Sequence, residues 1–382
     1  MFLSERSDVA PFLAMDVLSD ANRLAREGRD IIHMELGEPG APVPAAVRLA
    51  AEAALARGRV GYTEALGIPE LRARIARLYA ERYDVEVPAE RIAVTGGSSG
   101  AFNLAFLAMF DVGDRVGLPT PGYPAYRNIL AALGLEVVEI PTTAEARWQA
   151  SASAIEEVHA ERPLAGVIVA SPNNPSGTMM TREGLGSLVS ACREMKIALI
   201  MDEIYHGLVY EGDEVTALEF SDDVVVVNSF SKYFCMTGWR VGWMVLPEQL
   251  VRPVERLAQN LFISPSELSQ RAALGAFESR DELEAVKSGY AASRRLLLER
   301  MPKIGLDRFL PVDGAFYFYA DVSRYTNDSL DFCRRMLHEA GIAATPGLDF
   351  DTGRGSSYVR FSFAGRTDAV AEACERLGRW LR

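Results

Sequence analysis

Lys232 is the residue of this chain whose surroundings most favour nucleophilic chemistry. The 382-residue sequence contains four lysines, and the other three lie among charged or helix-end residues. Lys232 instead follows the apolar run Val224–Val227 and directly precedes two aromatic residues. Burial favours the neutral amine of a lysine, and a neutral amine can attack a carbonyl carbon to form a Schiff base. Lys232 is therefore a candidate for Schiff-base chemistry.

A run of glycines and serines at 96–100 follows a predicted strand and opens a predicted helix. Small residues there let backbone amides turn toward a phosphate, which the helix N-terminus also attracts. The run equally matches Gly-x-Ser-x-Gly, in which Ser98 would be the nucleophile of a serine hydrolase. His206 and His338 could assist such a serine, but no His-Gly-Gly segment precedes it. A plain strand-to-helix turn is the third interpretation.

Three charged residues stand beside or within apolar runs. Asp202 ends the run Ile197–Met201, where an ionised carboxylate costs energy unless it is paired, for example with a protonated heterocyclic nitrogen. It could also cap a helix. Arg240 opens the strand predicted at 241–246, where a guanidinium suits two-pronged anion binding. Arg360 lies among aromatic residues in an alternating strand, where it would either face solvent or clamp a carboxylate.

The segment Ser171–Thr178 is a turn that contains two asparagines and two prolines. Asparagine side chains in such turns commonly cap backbone groups. Asn174, held by the following proline, could instead donate a hydrogen bond to a ligand oxygen. Ser229 and Ser231, on either side of Phe230, could add hydroxyl donors next to Lys232.

Apolar runs that alternate with helical patterns predict the elements that position these residues. The pattern indicates an α/β fold with a mostly parallel, seven-stranded sheet flanked by helices. The predicted strands are 91–95, 115–118, 136–140, 166–170, 197–201, 224–228 and 241–246. The last link is too short for a helical crossover, so one of its two strands should run antiparallel. Ligands bind beyond the carboxyl ends of parallel strands, so the polar groups should converge on one site.

The length of the chain exceeds what one hydrophobic core usually supports, so two domains are expected. We predict a large α/β domain at 41–279 and a smaller α+β domain from 1–40 and 280–382, with further strands at 315–320 and 358–363.

Composition excludes several classes of function. A net charge of −12 and a pI near 5.0 argue against binding to nucleic acid or to anionic membranes. No apolar run approaches the length of a membrane span, and the charged N-terminus does not resemble a secretory signal. The four cysteines are scattered, with no metal or disulfide spacing, so we expect a reduced, cytoplasmic protein without a bound metal.

Together these segments resemble the class I and II aminotransferases, which are fold type I pyridoxal-phosphate enzymes related to aspartate aminotransferase. The resemblance runs from Leu36 to Arg360, and its most specific part is Ser229–Arg240, which is similar to the lysine motif of that family. Asn173–Gly177 and Asp202–Tyr205 precede that motif in the order and at the approximate separation that the family shows.

The resemblance implies that the protein binds pyridoxal 5'-phosphate, and it implies a role for each of the candidate residues around the cofactor ring. Lys232 would hold the cofactor as a Schiff base and move the proton of the substrate α-carbon. Asp202 would keep the pyridinium nitrogen protonated. Asn174 and Tyr205 would hydrogen-bond the phenolic oxygen of the ring and lower the Schiff-base pKa. Tyr123 would stack on the ring.

The resemblance also implies where the cofactor phosphate and the substrate bind. The phosphate would contact Gly97, Ser98, Ser229 and Arg240. The substrate carboxylate would contact Arg360, with Gly37 and Asn174 beside it. Tyr62 would reach the phosphate of a neighbouring subunit, so the resemblance implies a homodimer with shared active sites.

The resemblance implies an aminotransferase that moves an amino group between an α-amino acid and a 2-oxo acid. A carbon–sulfur β-lyase shares the fold and the cofactor residues, so it is the alternative. A regulator on this fold would carry an N-terminal DNA-binding module, for which the roughly 35 residues before Gly37 leave little room. Asn260 stands where one aspartate-specific branch has arginine, which counts against a dicarboxylate substrate of that branch, while other branches recognise aspartate differently. Phe262, Ile263 and Phe316 could instead line a pocket for an apolar side chain.

Overall fold

The computed structural model describes residues 3–382, which form three β-sheets and the helices that cover them. The strands are β1 (Ile32–His33), β2 (Ile92–Thr95), β3 (Arg115–Thr120), β4 (Glu136–Pro141), β5 (Gly166–Ala170), β6 (Ala198–Asp202), β7 (Val225–Ser229), β8 (Gly242–Val245), β9 (Tyr317–Asp321), β10 (Ile342–Ala343), β11 (Thr345–Pro346) and β12 (Tyr358–Ser362). The α-helices are α1 (Leu13–Arg26), α2 (Ala45–Ala56), α3 (Pro69–Tyr83), α4 (Gly97–Met109), α5 (Pro124–Ala132), α6 (Ala152–Glu161), α7 (Arg182–Met195), α8 (Glu248–Leu261), α9 (Glu267–Ala276), α10 (Arg280–Arg300), α11 (Ser329–Arg335) and α12 (Thr367–Trp380).

The largest sheet has seven strands in the order β2-β8-β7-β6-β5-β3-β4. β8 runs antiparallel to both of its neighbours, while β3 to β7 pair in parallel. The predicted fold class is therefore confirmed, as is the expectation of one antiparallel strand in the final pair. Because β8 is reversed, its first residues lie at the same edge as the carboxyl ends of the other strands. This reversal brings Arg240, just before β8, to the edge where the ligand is expected.

The central strands β5 to β8 are mostly apolar because helices cover both faces of the sheet. Val225 and Val227 pack into one core cluster with α4 and α5, while Val226 between them packs into the cluster on the other face. All three valines are fully buried. A run of consecutive valines is thus explained by alternate side chains that enter two different cores.

The remaining strands form two smaller sheets, one of which joins the N-terminal and C-terminal parts of the chain. β9, β11 and β12 form an antiparallel sheet, and β1 pairs in parallel with β10. The seven strands of the large sheet all lie within 41–279, and the other strands lie outside that range. The domain division itself stays a prediction.

Over residues 3–382, no helix has both the length and the apolar character needed to cross a membrane.

Helix α1 is attached to the C-terminal part of the chain by its first turn. The backbone amides of Leu13 and Ala14 donate to the two carboxylate oxygens of Asp349, at 3.1 and 3.2 Å. Free amides at a helix N-terminus need acceptors, and here the acceptor comes from a residue far away in the sequence. This contact fixes which side of α1 faces the interior.

Candidate active site

A cavity of about 360 Å³ opens at the carboxyl edge of the seven-stranded sheet. Elements from both ends of the chain contribute to its wall, including α1, the start of α4, the end of β6, the β7–β8 connection and β12. Nine of the residues predicted to form the site line it, namely Gly37, Ser98, Tyr123, Asn174, Asp202, Tyr205, Lys232, Arg240 and Arg360. The convergence that the strand ends predict is therefore present.

Lys232 follows β7 directly and lies half-buried in the cavity wall. Its Nζ donates a hydrogen bond to the backbone carbonyl of Gly37 and lies 5.9 Å from the centre of the Tyr205 ring. Burial, aided by the positive charge of Arg360, lowers the pKa of Lys232 to about 8. Near neutral pH a fraction of this amine is therefore unprotonated and nucleophilic.

Asp202 is the last residue of β6 and is buried. The hydroxyl of Tyr126 donates to one carboxylate oxygen, and the backbone amide of Ile204 donates to the other at 3.0 Å. Burial raises the pKa of Asp202 to about 6, and these two hydrogen bonds act in the opposite direction. A carboxylate in this position would be stabilised by a protonated nitrogen within the cavity.

Arg360 projects from β12 and is only 2% exposed. Its Nη1 donates to Asn174 Oδ1 at 2.9 Å, and its Nη2 donates to the Glu35 carbonyl and to Thr345 Oγ1 at 3.1 Å. Its buried Nε has no hydrogen-bond partner in the part of the chain that the structure describes. A buried guanidinium with donor capacity to spare suits a carboxylate ligand.

Arg240 and the N-terminus of α4 form a second place for an anion. Gly97 begins α4 with a φ of +76°, and a Cβ at this position would lie 2.5 Å from Arg240 Nη2. The guanidinium of Arg240 can therefore rest against the helix start only because residue 97 is glycine. Ser98 lines the cavity at the same end. Backbone amides and a guanidinium together can bind a phosphate.

Three predicted site residues, namely Gly97, Ser229 and Tyr62, do not line this cavity. Ser229 is buried behind Ser231, with 2.8 Å between their Oγ atoms, and it donates to the carbonyl of Val241 at 3.1 Å. Ser231 lines the cavity in its place. Tyr62 is 82% exposed on the surface of the chain, as a residue directed at another subunit would be.

Several residues of the site were missed by sequence reasoning. Tyr126 and Tyr317 both line the cavity, and they contact Asp202 and Tyr205 respectively. An apolar part of the cavity wall, the α1 wall, comes from α1 and nearby N-terminal residues. It consists of Phe12, Ala14, Met15, Leu18 and Leu36. The helical spacing of the α1 residues is visible in the sequence, but it does not show what that face of the helix contacts.

The apolar residues singled out from the sequence lie elsewhere. Phe316 is fully buried and packs edge-on against the Tyr205 ring at 5.7 Å, and Phe262 and Ile263 are each 50% exposed. None of the three lines this cavity as far as residues 3–382 define it. Within one chain, the aliphatic residues that line the cavity come from the N-terminal region and not from these positions.

The serine hydrolase interpretation finds no support at Ser98. His206 is buried, with Nδ1 2.7 Å from the hydroxyl of Tyr83, and burial lowers its pKa to about 4. His338 lies 3.7 Å from Asp20. Neither imidazole is hydrogen-bonded to Ser98, so a serine–histidine pair is not formed between them.

The family model described as aminotransferase class I and II matches residues 29–377. The chain belongs to this family. It is an aminotransferase, and amino-group transfer rather than carbon–sulfur cleavage is the activity named for its relatives. The family and the reaction type predicted from the lysine motif are therefore confirmed.

Three comparisons cover nearly the whole chain. A Mycobacterium tuberculosis protein named valine–pyruvate aminotransferase is 50% identical over 380 residues, which are 98% of this chain and 97% of the relative. The crystal structure of an aminotransferase from M. tuberculosis has a TM-score of 0.98 at 48% identity, over 100% of this chain and 99% of that one. Aspartate aminotransferase from Thermus thermophilus with maleate has a TM-score of 0.93 at 32% identity, over 99% of both chains.

Proposed function

We propose that this aminotransferase uses pyridoxal 5'-phosphate, attached at Lys232, to move an amino group between a small aliphatic α-amino acid, valine above all, and a 2-oxo acid such as pyruvate. The observation that carries the proposal is the presence of Lys232, Asp202 and Arg360 in the wall of one cavity. These side chains supply an amine, an acid and a carboxylate-binding group.

The residues present fit this cofactor. Asp202 offers a buried acid for the pyridine nitrogen, and the α4 start with Arg240 offers a phosphate site at the same cavity. Tyr123 contributes an aromatic ring to the wall, braced edge-on by Phe12 at 5.8 Å and by Tyr126 at 5.3 Å. Ser98 and Ser231 add hydroxyl groups, while Ser229 would act through Ser231.

When bound, the cofactor supplies an aldehyde that reacts with amines and a ring that withdraws electrons from the substrate α-carbon. Lys232 would hold the cofactor, and its amine, when unattached, would accept the α-proton of the substrate. The lowered pKa of Lys232, about 8, suits a base that works near neutral pH. Asp202, as a carboxylate, would hold a proton on the ring nitrogen of the cofactor.

Arg360 orients the substrate. We assign the α-carboxylate to its guanidinium, with Gly37 and Asn174 on either side. Asn174 already accepts from Nη1, so the guanidinium is held in place before a ligand arrives. Orientation of the breaking C–H bond depends on such a fixed anchor.

The apolar wall supports the proposed class of substrate. Phe12, Met15, Leu18 and Leu36 can contact an aliphatic side chain. The cationic residues that line the described part of the cavity are Lys232, Arg240 and Arg360, and each already has a proposed role. No further cation is left there for a second carboxylate, which agrees with the valine and pyruvate named for the M. tuberculosis relative.

We also propose a homodimer in which Tyr62 reaches the phosphate of the partner subunit. Tyr62 lies in an exposed apolar patch with Val60, Leu261, Phe262 and Ile263, which are 45–51% exposed. The chain segments that carry the patch are joined next to it, where the amide of Thr63 donates to Ser264 Oγ at 3.2 Å and the amide of Gly61 donates to Glu267 at 2.8 Å. Such a patch suits contact with a second copy. Four buried, unpaired cysteines suit a reducing compartment, and we propose a cytoplasmic location.

Spectra of the cofactor-loaded protein test the proposal. Each amino acid is mixed alone with the enzyme, and the visible absorbance of the bound cofactor is followed. Valine should convert the cofactor to its amine form, and pyruvate should restore the original spectrum. A response to aspartate without a response to valine would overturn the substrate class. No response to any amino acid would overturn the proposed chemistry.

A further inference from the structure

Tyr317 is a buried residue of the cavity wall that has no assigned role. It begins β9, is 1% exposed, and its hydroxyl oxygen lies 2.7 Å from that of Tyr205. In residues 3–382 neither phenol has another hydrogen-bond partner. The two hydroxyl groups therefore share one hydrogen bond, while they carry two hydrogens between them.

The direction of this bond decides what Tyr205 can do. If Tyr205 donates to Tyr317, its only hydrogen is used and it cannot donate to a ligand. If Tyr317 donates, the Tyr205 oxygen is the acceptor and its hydrogen is free. The hydrogen that is not shared needs an acceptor, because a buried hydroxyl without one costs free energy.

Arg360 favours Tyr317 as the donor. The guanidinium carbon lies 4.3 Å from the centre of the Tyr317 ring, and a cation over a phenol ring makes its hydroxyl a stronger donor. Burial raises the pKa of Tyr317, and Arg360 is the largest influence against that rise. Burial raises the pKa of Tyr205 well above its ordinary value, and the neighbouring Tyr317 influences that pKa more than Arg360 does.

The position of Tyr317 is set by its packing. A Cβ on Gly37 would lie 1.8 Å from the Tyr317 hydroxyl, so the absence of a side chain at residue 37 makes room for that oxygen. The ring also packs edge-on against Tyr205 at 5.6 Å and against Phe316 at 5.1 Å. A phenylalanine would keep the ring contacts and remove only the hydroxyl group.

We infer that Tyr317 is a positioning residue, which donates its hydroxyl hydrogen to Tyr205 and so leaves the Tyr205 hydrogen free for an acceptor in the cavity. The inference rests on the proposed function, in which that acceptor is the phenolic oxygen of the cofactor ring. A hydrogen bond to this oxygen draws electron density from it. The bond therefore lowers the proton affinity of the nitrogen through which Lys232 holds the cofactor.

The test is a pH titration of the visible absorbance of the cofactor-loaded enzyme without substrate. Tyr205→Phe should raise the midpoint by about one pH unit. Tyr317→Phe should raise it by about half a unit, because the Tyr205 hydroxyl donates more strongly while it accepts a hydrogen bond from Tyr317. The double variant should match Tyr205→Phe, because Tyr317 acts through Tyr205. Tyr319→Phe, two residues along β9, is the matched control and should leave the midpoint unchanged. Tyr317→Phe should lower kcat while KM for valine stays within about twofold, since the ring beneath Arg360 is kept.

The outcomes separate this inference from the proposed function. A wild-type enzyme whose absorbance does not titrate would overturn the proposed cofactor chemistry. An unshifted midpoint in Tyr317→Phe, with Tyr205→Phe shifted, would overturn the inference alone, as would additive shifts in the double variant. If Tyr317→Phe does not fold, 3-fluorotyrosine at residue 317 keeps the test open. Its hydroxyl is a stronger donor, so the midpoint should fall, and a midpoint that rises or stays constant would overturn the inference.

Discussion

The two sides of the cavity are built in different ways. On one side, Asp202, Lys232 and Arg240 stand at strand ends of a single sheet, and the backbone of that sheet fixes their spacing. On the other side, Arg360 and the residues of α1 come from opposite ends of the chain. We propose that the first side does the chemistry and the second selects the substrate. Substitutions that separate these roles test the contrast.

The largest effect is expected on the sheet side. Lys232→Ala should lower turnover by at least ~10³-fold, because both the attachment point and the base are lost. Borohydride should fix the cofactor to the wild-type enzyme at Lys232, as peptide mass spectrometry would show, but not to the variant. Lys303→Ala, which removes an exposed lysine paired with Glu299, is the control. Substantial turnover by Lys232→Ala would remove the basis for the contrast.

On the substrate side, Arg360→Lys should reduce kcat/KM for valine by about 10²-fold, mainly through KM, because a point charge replaces a two-pronged contact. Steady-state kinetics would measure the change. Arg354→Lys alters another guanidinium, which is paired with Asp351 and lies outside the cavity wall, and it should have little effect. A loss confined to kcat would place Arg360 with the chemistry instead.

The stability of the cofactor-free protein should reveal the burial of Lys232. Burial lowers its pKa from 10.5 to about 8, so the native state binds the lysine proton less tightly than the unfolded state does. This cost is full below pH 8 and fades as the pH rises toward 10.5. Lys232→Met should therefore raise the free energy of unfolding by on the order of 2 kcal/mol at pH 7 and by much less at pH 10.5. Urea unfolding at both pH values measures it, and an equal gain at the two would show that charge is not the cause.

The smallest effect is expected in the apolar wall. Leu18→Ala should lower kcat/KM for valine about threefold to tenfold and leave that for alanine within about twofold, because only the larger side chain would lose contact. Val17→Ala is the matched control, since Val17 does not line the cavity and packs instead against a core cluster that includes Leu337 and Ala343. Equal losses for valine and alanine would mean that α1 supports the site without selecting the side chain.

The same contrast explains what could be predicted from the sequence. Strands buried on both faces give continuous apolar runs, so the polar residues that end them, such as Asp202, could be recognised. The role of α1 could not, because it depends on the contact of its first turn with Asp349, more than 300 residues away. Tyr126 and Tyr317 were missed for a similar reason, since only the folded chain shows that they contact Asp202 and Tyr205.

Ser229 shows a different limit. Two serines flank Phe230, and the sequence pattern treats them alike. β7 ends at Ser229, whose hydroxyl donates a hydrogen bond to the backbone carbonyl of Val241. The side chain that lines the cavity is therefore that of Ser231. The end of a strand changes which side chains share a face, and sequence patterns predict that end only to within a few residues.

The reversed strand β8 has a mechanical consequence. Lys232 and Arg240 both lie on the one connection that joins β7 to β8, whose register pairs Ser229 with Gly242. Arg360 lies in a different sheet, on β12, and the two sheets have no strand in common. A ligand that touches all three residues ties one sheet to the other. Ligand binding in the cavity is therefore coupled to the contact between the two sheets, and a bound ligand should hold them together more firmly.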